Sequence, residues 1–141
     1  MKHHPAWLAL GLLFFVVVAC NFSTGNNSSS GPIAKMTMAR DNGQGNPGDE
    51  TNTFKPGDHK VHCLITLNEP KEGTKVTFSW WIVDAGGTKN EKLKDLDYTT
   101  DSDVKVVHGH LSTTRDWPPG KYKVEASING KPEKTVNFNV D

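Results

Sequence analysis

Residues 74–83 read Thr-Lys-Val-Thr-Phe-Ser-Trp-Trp-Ile-Val, and the alternation within them decides the fold. Val76, Phe78, Trp80 and Ile82 share one face, and Thr77, Ser79, Trp81 and Val83 share the other. A period of two with one apolar face marks a half-buried β-strand. The pattern recurs outward in both directions. Val61, Cys63, Ile65 and Leu67 oppose His62, Leu64 and Thr66; Tyr122, Val124, Ala126 and Ile128 oppose Lys121, Lys123, Glu125 and Ser127; Val136, Phe138 and Val140 oppose Thr135, Asn137 and Asn139. Pro- and Gly-containing turns separate the runs, and Asn129-Gly130 is a two-residue hairpin signal because both residues accept positive φ.

Seven strands follow, over about 33–40, 59–67, 74–83, 92–100, 104–113, 121–129 and 133–140. One amphipathic sheet alone leaves an apolar face in water, so a second sheet must cover it. The expected architecture is an all-β, seven-stranded antiparallel sandwich over residues 33–141. Residues 41–53 (DNGQGNPGDETNT) read as a long loop.

The chain has 141 residues, one domain by length, with 16 Lys+Arg against 16 Asp+Glu. That balance offers no basic face and argues against a nucleic-acid partner. Residues 1–20 read MKHHPAWLALGLLFFVVVAC. The apolar run Ala6–Ala19 is short for a membrane span, which needs roughly 20 residues, and has the length of a secretory leader. Its end, Val17-Val18-Ala19-Cys20, resembles the lipobox of bacterial lipoproteins. The resemblance implies cleavage of residues 1–19 and a diacylglyceryl thioether and N-acyl lipid on Cys20. Two or three acyl chains give stable membrane anchoring, where one is marginal. Asn21 in place of Asp favours the outer membrane in a Gram-negative cell envelope. Residues 20–32 then form the lipidated Cys and a tether rich in Asn, Ser and Gly, whose 12 residues after Cys20 span about 17–21 Å as a random coil.

The head resembles the immunoglobulin-like fold. Trp80 faces inward on the third strand, as the core Trp does there. Trp117-Pro118-Pro119-Gly120-Lys121-Tyr122 is similar to the approach to a tyrosine corner, in which a Tyr hydroxyl returns to the backbone. Phe54-Lys55-Pro56-Gly57-Asp58 is similar to the segment before the second strand of bacterial immunoglobulin-like modules. An antibody-type disulfide is not expected: Cys63 lies on the second strand, but Val124 stands where its partner would. Cys63 is then a buried, unpaired thiol.

The candidate chemistry is sparse. His108-Gly109-His110 puts two imidazoles on one strand face, and His62 faces outward by parity. In an immunoglobulin-like fold the second and fifth strands are neighbours, so the three imidazoles can meet on an outer sheet face and hold Zn²⁺ or Cu²⁺. No carboxylate is evident as their supporting partner. Asp95, Asp97, Asp101 and Asp103 lack the spacing of a calcium loop and suit an edge strand guarded by charge. Trp81 faces outward as a possible contact for a protein or carbohydrate partner, with Lys121 and Lys123 beside it. There is no nucleophile elbow, zincin motif, P-loop or dinucleotide fingerprint, and no enzyme is expected. The reading is a lipid-anchored envelope lipoprotein with a binding or structural head. The alternatives are a metal-binding protein using His62, His108 and His110, or an accessory subunit of an envelope complex. Apart from the lipid on Cys20, no cofactor is expected, and the oligomeric state is left open.

Overall fold

The structure, a computed structural model, describes residues 31–141. The leader, Cys20 and the tether up to residue 30 lie outside the described residues. The described chain is all β, in nine strands: β1 Ile33–Asp41, β2 Pro47–Glu50, β3 Thr53–Phe54, β4 Lys60–Leu67, β5 Lys75–Ala85, β6 Thr88–Thr99, β7 Val106–Ser112, β8 Gly120–Ile128 and β9 Lys131–Val140. They form two sheets, ordered β2-β1-β4-β7 and β3-β9-β8-β5-β6.

Seven of the nine coincide with the alternating segments. The other two correct the long-loop reading of residues 41–53. β2 pairs with β1 through Ala39↔Glu50 and Asp41↔Pro47, with a register shift between them. β3 runs parallel to β9, Thr53 opposite Asn139. Both are held by backbone pairing and lack a long apolar period, so alternation does not announce them. β6 also begins earlier than expected, because Gly86 and Gly87, both at positive φ, close a tight turn that lets Ala85 pair with Thr88. At the other end, the last two tether residues are tied down: Asn68 donates its side-chain amide to Gly31 and its backbone N–H to Pro32.

The core sits between the sheets, and the aromatic rings that strands add to it all come from one of them. The first sheet contributes Met36, Met38, Val61, Cys63, Ile65, Leu67 and Val107. The second contributes the rings of Phe54, Phe78, Trp80, Tyr122 and Phe138 together with Val76, Val124, Ala126, Ile128 and Val140. Tyr122 stacks on Phe138 at 5.2 Å between ring centroids, and Trp117 meets Tyr122 edge-on at 5.3 Å. Such pairs add about 0.5–1.5 kcal/mol each beyond the area they bury. Cys63 is fully buried and unpaired, and burial pushes its thiol pKa up to about 12.

The tyrosine corner is present. The Tyr122 hydroxyl donates to the Pro118 carbonyl, and burial raises the phenol's pKa. The Trp117 indole N–H donates to the Asp58 carbonyl, clamping the β7–β8 connection to the segment before β4. Tyr122→Phe keeps the stack but strands the Pro118 carbonyl. It is expected to cost about 1–2 kcal/mol in urea unfolding; an unchanged midpoint would show that the hydroxyl carries no stability.

Candidate metal centre

Three strands and one bulge build the site. β4 pairs with β7 antiparallel, Val61 opposite Leu111, His62 opposite His110, Cys63 opposite Gly109 and Leu64 opposite His108. Odd-numbered residues of this pair face the core, so His62, His108 and His110 project from the outer face together. Gly109 fits closely between the two histidines: a Cβ there would lie 3.0 Å from the Phe78 ring, which would have to give way. The backbone of β7 thus rests directly on the second sheet, with both imidazoles turned away from it.

The imidazoles converge. Ring centroids are 4.8 Å apart for His62–His108, and 5.8 Å for both His62–His110 and His108–His110. One nitrogen from each lies within 4.8 Å of the others. Among the described residues this is the group of histidine, cysteine and acidic side chains arranged to hold a metal ion.

One expectation about the site is corrected. His62 does share the outer face, but it is fully buried, not solvated. Ala39 stands opposite it on β1, His110 stands opposite on β7, and Asp41 closes over its edge. Parity says which face a residue takes, not what covers it.

A second correction is Asp41, the missing carboxylate. Its Oδ1 lies 2.8 Å from His62 Nε2. Its Oδ2 accepts the backbone N–H groups of Gly43 at 2.8 Å and Gly45 at 3.3 Å. The bond from His62 holds the Asp41 carboxyl below its usual pKa; burial opposes it, and the Gly45 and Gly43 N–H groups add to the lowering. An ionised carboxylate only accepts, so His62 carries its proton on Nε2. In the neutral form His62 Nδ1 is then bare. It lies 2.6 Å from His108 Nε2, which donates to it. The relay runs His108 to His62 to Asp41, its tautomers assigned from the hydrogen-bond network.

This arrangement fits a transition-metal ion. His62 Nδ1, His108 Nε2 and a nitrogen of His110 would hold such an ion, with the proton of His108 Nε2 passing to its Nδ1 so that the ring ligates in its neutral form. Metal–imidazole bonds of about 2.0–2.1 Å in a tetrahedron need nitrogens about 3.3 Å apart, so the 2.6 Å His62–His108 pair would open and the wider separations, within 4.8 Å, would close. A ligating His whose other nitrogen donates to a carboxylate is the usual support for such an ion, and Asp41 supplies it.

The Trp81 face is different. Lys92 and Lys123 stand directly across from Trp81 on β6 and β8. Their ammonium groups lie 5.1 and 5.3 Å from the indole centroid. Lys121, expected beside the ring, is exposed and lies across from Asp84 and Asn139. Trp81 is therefore half-buried beneath two cations, each itself paired, Lys92 with Asp95 and Lys123 with Glu125. Asp95 and Asp97 are drawn to Ser79 and Thr77 along β6 and do not gather around one point.

No family model matches the chain, and no curated protein matches it. Among solved structures, an immunoglobulin-like protein from Pseudomonas aeruginosa aligns over 76% of this chain and 92% of its own, with 11% identity and a TM-score of 0.50. The fold is immunoglobulin-like. An alkylpurine DNA glycosylase from Pseudomonas fluorescens, bound to DNA containing an abasic site analogue, aligns at TM-score 0.39 and 21% identity over 63% of this chain and 27% of its own. A β-glucosidase from Listeria innocua in complex with isofagomine aligns at 0.42 and 11% over 75% and 16%. These two scores carry no argument.

The electrostatics of the metal-free site have a pH signature. Burial, then the neighbouring imidazoles, lowers the His108 pKa below 6.5. Burial, then Lys60 and His62, lowers that of His110 against a smaller opposing pull from Asp41. The unfolded chain therefore binds protons that the fold refuses. The stabilising contribution is full above the ordinary imidazole pKa and is lost as pH falls through the lowered values. Thermal melts of the metal-free protein should show the midpoint dropping on mild acidification, and H108Q/H110Q should flatten that slope. An equal slope in the variant would assign the effect elsewhere.

Proposed function

We propose that this chain is an envelope lipoprotein, anchored through lipid on Cys20, whose immunoglobulin-like head binds a divalent transition-metal ion with His62, His108 and His110. The carrying observation is the convergence of three imidazoles from two paired strands, with the buried one oriented by Asp41. Three nitrogen donors favour Zn²⁺ or Cu²⁺ over the hard, oxygen-seeking Ca²⁺ and Mg²⁺. Three protein ligands leave a further position on the ion for water or another ligand. The role is read as binding rather than catalysis, because the sequence carries no nucleophile elbow, zincin motif, P-loop or dinucleotide fingerprint. The lipobox-like Val17–Cys20 supports the anchor, and the tether after it would hold the head just off the membrane surface.

Titration calorimetry of the full, chelator-stripped chain in detergent, with Zn²⁺ and with Cu²⁺, tests the site. One ion per chain is expected at neutral pH, weakening sharply on acidification because the ligating nitrogens must be unprotonated. D41N keeps all three ligands but loosens His62 and should weaken binding about 10–100-fold. His110→Ala should abolish most of it. Heat that is absent, or unchanged in both variants, would overturn the metal reading. The intact mass of protein taken from membranes tests the anchor independently: cleavage before Cys20 with added acyl mass is expected, and an unacylated chain retaining its leader would refute it.

A further inference from the structure

The two sheets end in four edge strands, and three of them are protected. β2 has four residues and includes Pro47, Asp49 and Glu50. β3 has two. β6 is long, with twelve residues, but carries Lys89, Glu91, Lys92, Lys94, Asp95 and Asp97. Shortness, proline and charge are the ordinary defences of an exposed edge against pairing with another chain. β7 has none of them. Its seven residues, Val-Val-His-Gly-His-Leu-Ser, include no Lys, Arg, Asp, Glu or Pro, and Val106 is 46% exposed.

The hydrogen-bond parity of β7 is fixed by its inner neighbour. Thr113 donates to the His59 carbonyl, and Leu67 donates to that of Lys105. Alternate pairs of an antiparallel ladder carry the bonds, so residues 107, 109 and 111 bond to β4. The N–H and C=O groups of Val106, His108, His110 and Ser112 then turn toward the open edge. The side chains of those four residues are all exposed.

We propose that β7 is the docking edge for a second copy of this chain, paired antiparallel about a two-fold axis at Gly109. This goes beyond the metal reading and does not rest on it. In that register Val106 lies opposite the partner's Ser112, and His108 opposite the partner's His110. All four outward residues then sit in hydrogen-bonded pairs, and the two four-stranded sheets continue as one. No charged side chain of β7 meets a like charge across the seam. Past the strand ends the chains leave the ladder, and each end of the seam carries exposed Asp103 of one copy and exposed Arg115 of the other, opposite charges at the same end. The imidazoles brought side by side belong to a set that already bonds ring to ring, as His62 and His108 do. A second copy is the fitting occupant because the two-fold axis makes each of these complementarities occur twice.

Sedimentation equilibrium of the full chain in density-matched detergent, with EDTA to remove metal, reads the association directly. The wild type is expected to form a reversible dimer. V106K/S112K sets lysine against lysine twice across the seam, at positions exposed in one copy, and should weaken association at least about tenfold. V106K/S112E sets lysine against glutamate at the same two places and should restore it. A far-ultraviolet circular dichroism spectrum matching the wild type shows that each variant has folded. A wild type that stays monomeric throughout would overturn the proposal. So would a V106K/S112K variant that dimerises as tightly as the wild type, or a V106K/S112E variant no better than V106K/S112K. Because EDTA is present throughout, failure of the metal reading would leave this result standing, and a calorimetric stoichiometry of one ion per chain would survive a failure here.

Discussion

Phe138 touches four other aromatic rings, Phe54, Trp80, Trp117 and Tyr122, at centroid separations of 5.2–6.3 Å. Four of these five rings belong to one sheet, and the aliphatic side chains of the other sheet lie against them. That contact is the constraint on which the rest depends. It sets which face of every strand turns inward, and therefore which residues are left for the outside. Gly109 shows how tight it is, since one added carbon would press on Phe78. The histidine pair takes its position from that closeness: it flanks the one β7 residue that has no side chain to lift the strand.

The metal-binding potential of the outer face rests on orientation as much as on proximity. Three exposed imidazoles on a sheet would each sample several rotamers and both tautomers. His62 is denied that freedom by burial, and its proton is assigned by Asp41. Asp41 is itself fixed by two backbone N–H groups from the turn it begins. Order therefore passes from a glycine-rich turn to a carboxylate, then to a buried ring, and finally to an exposed one. The desolvation that lowers the His108 and His110 pKa values also favours their unprotonated form, the one a metal requires.

Much of this was legible in the residues, for identifiable reasons. β4, β5, β8 and β9 are announced by period two because each buries one face against the core. The pairing of the His62 strand with the His108–His110 strand followed from their order in an immunoglobulin-like sandwich, and side-chain parity put the three rings on one side. β2 and β3 were illegible because backbone pairing alone holds them, and their composition is that of a loop. Asp41 was illegible for a related reason: it sits where the β1–β2 register shifts, and periodicity does not carry through a bulge. The choice of Lys92 over Lys121 as the second cation above Trp81 needs the cross-strand register, which single-strand parity does not contain.

Cys63 has one more bearing on the life of this chain. Its sulfur lies between the sheets, where neither oxidant nor thiol reagent can reach it without the sandwich coming apart. If the chain is exported as an open polypeptide, the same sulfur is bare during the journey. Its exposure to damage is then a race: collapse of the head seals it away, and delay leaves it open to cross-linking with a neighbour. On the proposed export route, the speed of folding would govern how many molecules keep this thiol intact.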